Sequence, residues 1–434
     1  MARRPGAPGD APPVPLTTIL REWGRIGCLG FGGPPVHVAM LRELCVDRRR
    51  WVDDDAFEDA VAATNLLPGP ASSQLAILSA WNVRGTAGAV IGGLAFVLPG
   101  LVAMIALAVV FLAASPPDAV RGAGAGAGAV VAAVALHAGA GLLGPSWRRA
   151  RDARPLRWGA YVGLGAAAAI VVGPWLVLVL LACGALELAW GRRPPATRSG
   201  PRGRGGLGGG QRAGDGGGAR RVGRGLGSVG RRDADAGGGR LSVHAWPIVL
   251  AAAVGAGGLG ALAWTAFKVG ALSYGGGFVI IPLMQADAVD LHGWMTDARF
   301  LDAVALGQVT PGPVVHTVAA VGYAAHGIGG ALLAAFVAFV PSFVLVMVLA
   351  SRFDAMRANP VLRGFLDGAG PAAIGAILGT AVPLALALQE TWQFGLLAVG
   401  GVALLVLRAS IVWTLVAAGA AGALAVVVLG APIA

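Results

Sequence analysis

The chain has 434 residues, of which 56% are hydrophobic and only 13% are charged. Because soluble proteins carry about 25% charged residues, this composition excludes a soluble globular protein and predicts a polytopic membrane protein. The net charge of +11 does not indicate a nucleic-acid surface, because residues 191–243 alone contain 12 arginines and three aspartates. Arginine-rich connecting segments of membrane proteins mark the cytoplasmic side, where we expect this one to lie.

We divide the chain into four regions. Residues 1–15 are rich in proline and are expected to be disordered. Two transporter repeats, 16–190 and 244–434, flank the Gly/Arg-rich segment 191–243. This segment has too few large apolar residues to build a core, and we interpret it as a disordered cytoplasmic linker. The predicted fold class is all-α, with two homologous halves.

Six apolar segments recur in the same order in both halves. Several approach the roughly 20 residues that a helix needs to span a bilayer. In the first half they lie near 22–41, 57–81, 87–113, 119–144, 158–173 and 174–190. Their counterparts lie near 265–286, 300–325, 327–350, 362–388, 393–407 and 410–430, after an extra apolar stretch at 246–264.

The two halves align residue by residue. Residues 26–70 match residues 269–313 at a constant offset of 243, and the match resumes at an offset of 242 from Gly85 onwards. Glycine and proline interrupt both halves at equivalent places. Paired interruptions of this kind are typical of repeat-built transporters, and they point to the substrate site.

The charges of equivalent loops predict that the halves have opposite orientations. The loop at 42–51 has four arginines, whereas its partner at 285–299 has three aspartates and one arginine. By the positive-inside rule the first loop is cytoplasmic and the second is not. The predicted topology is an inverted repeat with nine crossing segments and four re-entrant segments, in which the stretch at 246–264 inverts the second half.

A glycine cluster is the first candidate binding element in each half. Broken backbone at membrane depth is tolerated only where it is buried or lines a cavity, and its free N–H groups suit an anion. The alternative interpretation is a packing kink. The candidate residues are Gly30, Phe31, Gly32 and Gly33 in the first half, and Tyr274, Gly275, Gly276 and Gly277 in the second.

A Pro-Gly-Pro break is the second candidate element, and it is expected to stop a helix in the middle of an apolar segment. The copies are Pro68-Gly69-Pro70 and Thr310-Pro311-Gly312-Pro313. The amides of Asn65 and Gln308 precede them by three residues and could bind oxyanion oxygens or, alternatively, backbone groups freed by the prolines. His316 follows Pro313 by three residues and is a further candidate to line the cavity.

Charged residues also recur at matched positions. Arg25 and Lys268 precede the glycine clusters, where they would supply positive potential to a binding site; the alternative is that they snorkel to the membrane interface. Asp59 and Asp302 precede helical runs, which favours helix N-capping over proton coupling.

Together these motifs resemble the chromate ion transporter family in its long two-domain form. The resemblance rests on Phe31-Gly32-Gly33-Pro34, Pro68-Gly69-Pro70, Tyr274-Gly275-Gly276-Gly277 and Thr310-Pro311-Gly312-Pro313. It covers all but the N-terminal 15 residues and the linker. It implies efflux of chromate across the bacterial inner membrane, which gives resistance, with sulfate as a related dianion. The matched motifs and Arg25 are the positions to which it assigns a functional role.

We therefore expect a multi-pass inner-membrane transporter whose partners are a chromate or sulfate oxyanion and the lipid bilayer. Membrane potential or an ion gradient would drive export. No cofactor, metal site or nucleic-acid partner is expected, and a homodimer is one alternative for the assembly. Two rival functions stay open, a passive anion channel and an intramembrane enzyme such as a lipid-pyrophosphate phosphatase. The enzyme is disfavoured because Ser72 and Ser73 have no accompanying arginine and are replaced by Val314 and Val315 in sequence after the second break.

Overall fold

The computed structural model describes residues 14–64, 67, 69–113, 115–152, 154–172, 176–191, 258–273, 280–350 and 359–433. Every regular element within these ranges is helical, which confirms the all-α prediction. Five helical stretches are long and apolar enough to cross a membrane: Ala71–Phe111, Asp118–Arg148, Val314–Leu349, Pro360–Leu386 and Ile411–Leu429. Residues 192–243 of the linker, residues 1–13 and residues 246–257 of the extra apolar stretch at 246–264 lie outside the described residues.

Fifteen helices form the described part of the chain. In the first half they are α1 (Leu16–Leu29), α2 (Pro34–Arg42), α3 (Asp54–Thr64), α4 (Ala71–Phe111), α5 (Asp118–Ala129), α6 (Val131–Ala150), α7 (Pro155–Val171) and α8 (Leu176–Gly191). In the second half they are α9 (Leu259–Leu272), α10 (Ile280–Gln285), α11 (Asp297–Val309), α12 (Thr317–Leu349), α13 (Pro360–Leu386), α14 (Thr391–Gly401) and α15 (Ile411–Leu429).

The internal repeat is preserved in fine structural detail. Helix α2 continues into a π-helical turn at Glu43–Arg48, and α10 continues into one at the equivalent Ala286–Leu291. Helices α4 and α12 both bend at a left-handed glycine, Gly85 with φ 63° and ψ −151°, and Gly327 with φ 62° and ψ −152°. Matching backbone angles at matched positions show that the two halves share one fold.

The long helices α4 and α12 pack against each other and form the centre of the molecule. Helix α1 lies along α4, and its counterpart α9 lies along α12. The approach is close because a glycine faces backbone at equivalent positions: a methyl group at Gly27 would lie 2.5 Å from the carbonyl oxygen of Phe96, and one at Gly270 would overlap that of Ala338. Small residues permit such contacts between helices in lipid.

The remaining helices pack across the two halves. Helix α5 of the first half lies against α15 and α11 of the second, and α13 of the second half lies against α6, α7 and α8. An ion-pair network accompanies the latter contact. The buried guanidinium of Arg154 lies 3.1 Å from Glu187 and 2.6 Å from Asp367, which belongs to the other half. The halves are therefore interlocked rather than placed side by side.

One sequence prediction is wrong, and the number of crossings stays a prediction. Helix N-capping by Asp59 and Asp302 is wrong, because both residues lie inside their helices. The free N–H groups of α3 and α11 lie earlier, where Asp53 accepts the N–H of Ala56 at 2.7 Å and Thr296 accepts that of Arg299 at 3.4 Å. The five span-length helices also do not account for nine crossings, so the crossing number stays a prediction.

Candidate functional site

The glycine and proline motifs interrupt the helices at the predicted places. Helix α1 ends at Leu29 and α2 begins at Pro34. Around the first Pro-Gly-Pro break, α3 ends at Thr64 and α4 begins at Ala71. Around the second, α11 ends at Val309 and a short 3₁₀ turn, Val314–His316, precedes α12. The second glycine cluster, Tyr274 to Gly277, lies outside the described residues, as do Asn65 and Pro68.

Backbone hydrogen bonds bring the first glycine cluster to the second Pro-Gly-Pro break. The carbonyl oxygen of Gly30 accepts the N–H of Gly312 at 3.0 Å. The same oxygen accepts a hydrogen bond from Nε2 of the buried His37 at 2.8 Å. A side chain at Gly30 would clash with this imidazole, since a methyl group there would lie 2.6 Å from its Cδ2. Two motifs from different halves thus form one backbone junction.

Each Pro-Gly-Pro break rests on the long helix of the opposite half. Gly312 has φ 89° and lies beside the segment of α4 that contains Gly100, where a methyl group would overlap the carbonyl oxygen of Pro311. Gly69 has φ 120°, and a methyl group on it would lie 3.1 Å from Oγ of Ser342 in α12. Gly100 and Ser342 are equivalent positions in the repeat, so the two contacts are related by the internal symmetry.

Buried polar side chains without hydrogen-bond partners surround this junction. Their unpaired atoms are Nδ1 of His37, Oγ of Ser73, Nε2 of Gln308 and Oγ of Ser342. The imidazole of His316 joins them and lies beside the backbone of Val97 and Pro311. All five side chains are buried, with relative exposure from 0% to 8%. A buried polar group left unsatisfied costs about 1–3 kcal/mol, which natural structures avoid unless water or a ligand is bound. The hydroxyls of Ser73 and Ser342 and the amide nitrogen of Gln308 can donate hydrogen bonds to a polar ligand, whereas Nδ1 of His37 can only accept one while Nε2 donates to Gly30.

The unpaired polar side chains in the described part of this junction are all uncharged residue types or histidines. This differs from the prediction that Arg25 and Lys268 jointly direct positive potential at the site. Arg25 is exposed at the surface. The ammonium of Lys268, only 17% exposed, lies 2.5 Å from the carboxylate of the fully buried Asp287. An ion-paired Lys268 has its charge compensated locally, so neutral donors define the geometry at the junction.

The other predicted residues have structural contacts at the junction. Thr310 ends α11, and its hydroxyl donates to the carbonyl of Gly307 at 3.4 Å. Pro70 precedes the first turn of α4, and Pro313 precedes the 3₁₀ turn before α12. Phe31, Gly32 and Gly33 form the bend between α1 and α2, where both glycines have positive φ.

Sequence reasoning missed His37, Ser73 and Ser342 as candidates. Ser73 could have been found, because the offset of 243 places it at the position of His316. His37 could not, since the equivalent residue is Ile280 and the repeat gives it no support. Ser342 stands at the position equivalent to Gly100, which has no side chain, so the repeat gives no sign of a binding hydroxyl there. Its role as a candidate depends on the contact with Gly69 in the structure.

Comparison with known proteins identifies the family. The family model described as "Chromate transporter" matches residues 17–188 and 260–423, one match in each half. The chain belongs to the chromate transporter family. Membership indicates a transporter rather than an enzyme, and the five apolar helices make it a multi-pass membrane protein, consistent with the bacterial inner membrane.

Individual relatives in this family are distant but nearly full-length. A chromate transport protein of Cupriavidus metallidurans is 28% identical over 96% of this chain and 94% of its own length. A probable chromate transport protein of Synechococcus elongatus is 28% identical over 86% of this chain and 85% of its own length. A chromate transport protein of Pseudomonas aeruginosa is 27% identical over 86% and 82%. No solved structure matches the chain.

Proposed function

We propose that this protein exports chromate through the junction of the two broken-helix motifs. The observation that carries the proposal is the set of buried, unpaired donors on Ser73, Gln308 and Ser342, with the buried imidazoles of His37 and His316 beside them, around the two Pro-Gly-Pro breaks. The family and the named chromate transport relatives provide the substrate class. A tetrahedral oxyanion has four acceptor oxygens, which suits a site with several hydrogen-bond donors.

Uncharged donors are expected to bind an anion weakly enough to release it, as a transporter must. Helix α4 begins directly after the first break, and helix N-termini favour anions through their partial positive charge. A dianion held by neutral donors avoids the strong attraction of a fixed guanidinium, and this allows release. Chromate and sulfate share charge and shape, so we expect sulfate to compete with chromate.

We propose that the membrane potential drives export. Moving a dianion from a negative interior to the outside is favoured by about 2.3 kcal/mol per charge for each 100 mV. The proposed direction depends on the inverted topology predicted from loop charges. The loop charges also predict that the connections at 114–121 and 389–392 lie outside, because their repeat partners at 351–363 and 145–157 carry more arginines. Residues 115–121, 296–299 and 389–390 line a single cavity, which supports this topology.

Counterflow in proteoliposomes tests the proposed function. Vesicles loaded with unlabelled chromate should accumulate labelled chromate transiently, and an imposed K⁺ diffusion potential should accelerate efflux from the negative side. His316→Ala and Ser73→Ala should each reduce the rate at least tenfold, while Ser410→Ala, at the start of α15, keeps the wild-type rate. Voltage-driven flux without counterflow would identify a passive channel instead. Wild-type rates in both site variants would exclude this junction as the substrate site.

A further inference from the structure

A second site for an anion is suggested by a cavity whose lining includes none of the residues of the two breaks. The cavity has a volume of about 500 Å³ and is lined by both halves. Its walls come from the end of α4, the first turns of α5, the N-terminal half of α11, and the segment between α13 and α14. Ile433, near the end of the chain, closes one side.

Four charged residues face this cavity: Arg121, Arg299, Asp302 and Glu390. The Glu390 side chain is engaged as the N-terminal cap of α14, where it accepts the N–H of Gln393. The two arginines are only weakly engaged by protein. Arg121 lies 3.5 Å from Asp118, and Arg299 donates to the carbonyl of Ala113 at 3.4 Å. Two guanidinium groups are therefore available to an anion in the cavity.

The carboxylate of Asp302 lines the same cavity and, when ionised, repels an anion that approaches the two arginines. Its carboxyl group is pressed against bare helix backbone, since a methyl group at Gly124 of α5 would lie 2.7 to 2.9 Å from its three terminal atoms. The exposed part of the side chain faces the cavity. Asp302 lies outside the five membrane-spanning candidates. Burial raises its pKa to about 7, although Arg299 acts in the opposite direction.

We propose that this cavity is a second oxyanion site, in which Arg121 and Arg299 hold the anion and protonation of Asp302 makes room for its negative charge. The inference rests on the proposed function for the identity of the anion. When Asp302 is ionised, anion binding takes up one proton from the bulk solution onto its carboxylate, and release of the anion returns that proton to the solution. The cavity then serves as an exit vestibule, distinct from the central junction.

The equivalent place in the other half of the repeat lacks one of the two arginines of this vestibule. Asp302 and Arg121 have counterparts in Asp59 and Arg363, whereas Ala56 stands at the position equivalent to Arg299. The pair of arginines therefore belongs to one face of the protein only. A site of higher anion affinity on one face, emptied when its aspartate loses a proton, gives the two faces different release properties.

Equilibrium binding of labelled chromate to the full chain in nanodiscs tests the proposal between pH 6 and pH 8. If only the protonated form of Asp302 admits the anion, wild-type affinity falls about tenfold over this range, beyond the change due to chromate's own protonation. Asp302→Asn should abolish that difference and bind with high affinity throughout. Arg299→Gln should bind at least tenfold more weakly at pH 6. Asp297→Asn, on the same helix but outside the cavity lining, should retain the wild-type pH profile.

The measurement is made in a His316→Ala background, which weakens the central junction, and the difference between this background and the same background with Arg299→Gln gives the binding at the vestibule. Asp302→Ser provides a second neutral variant if the Asn variant does not fold. A wild-type pH profile in the neutral variants, or wild-type affinity in Arg299→Gln, would overturn the vestibule while leaving central transport intact. Absence of chromate binding and transport in the unmodified protein would instead reject the proposed function and the vestibule with it.

Discussion

Gly100 of α4 and Pro311 of the second Pro-Gly-Pro break are in direct contact, although they belong to different halves of the protein. A methyl group on Gly100 would overlap the carbonyl oxygen of Pro311 and would lie 2.6 Å from Cε1 of His316. The reciprocal contact joins Gly69 to Ser342. Each break is thus positioned by the other half, so a displacement of one half reshapes the site contributed by its partner.

Gly100→Ala should disable transport by moving the second break away from α4. Overpacking of this kind costs about 1–3 kcal/mol, and we expect both a lower melting temperature and a chromate flux reduced at least tenfold. Gly163→Ala in α7 is the matched control, because a methyl group there meets no atom within 4 Å. Normal flux in Gly100→Ala would show that this contact does not position the break.

The pair formed by Lys268 and Asp287 should act on stability rather than on anion affinity. Lys268→Met leaves a fully buried carboxylate unpaired, which destabilises by about 3–5 kcal/mol. We expect low membrane abundance and a reduced melting temperature. The double variant Lys268→Met/Asp287→Leu should recover most of the stability, since the first half carries Leu44 at the position of Asp287. Weaker chromate binding in a stable Lys268→Met protein would instead show that the Lys268 ammonium contributes positive potential to the substrate site.

Cysteine labelling should reveal opposite orientations of the two halves. In a Cys28→Ala background, which removes the exposed native thiol, cysteines at the exposed positions Leu291 and Gln389 should react with an impermeant external reagent. Cysteines at the exposed positions Asp47 and Asp152 should react only after the inside is made accessible. External labelling of either aspartate position would contradict the inverted topology.

Arg154→Gln should loosen the contact between the halves. The change breaks a buried ion pair with Glu187 and a half-exposed one with Asp367. We expect a marked fall in melting temperature, with a loss of stability smaller than the roughly 3–5 kcal/mol of a fully broken buried pair, because Arg157 still lies 3.4 Å from Glu187. Arg151→Gln provides the control, because its only described ion pair is an exposed one with Asp152 at 3.6 Å and such pairs contribute about 0–1 kcal/mol. Equal stability of the two variants would argue against an interlocking role for Arg154.

The sequence was sufficient to locate the breaks but not to pair them. Three glycines after Leu29 and a Pro-Gly-Pro after Thr64 stop helices for local steric reasons, so their positions follow from residue types alone. The hydrogen bond from Gly312 to Gly30 joins residues 282 positions apart, and no local rule specifies it. Asp287 also escaped notice as the partner of Lys268, because its repeat position holds an apolar leucine in the first half.

The prediction that Asp59 and Asp302 cap their helices was wrong because residue type alone does not fix where a helix begins. Asp53 and Asp59 both stand near the start of α3, and residue type does not distinguish them; only the observed first turn shows that Asp53 provides the cap. For Asp302, the glycines of α5 decide its environment, and their proximity depends on tertiary packing between halves.

The left-handed glycine in each long helix allows a helix longer than the membrane is thick to stay within it. Helix α4 contains 41 residues, which at 1.5 Å per residue is about 60 Å, twice the roughly 30 Å thickness of the hydrocarbon layer. A straight α4 would project about 30 Å of helix into water and carry its Pro-Gly-Pro end out of the membrane. The reversal at Gly85, repeated at Gly327, folds the excess back beside the crossing portion. One residue of mirror-image backbone in each half therefore determines the depth at which the break lies.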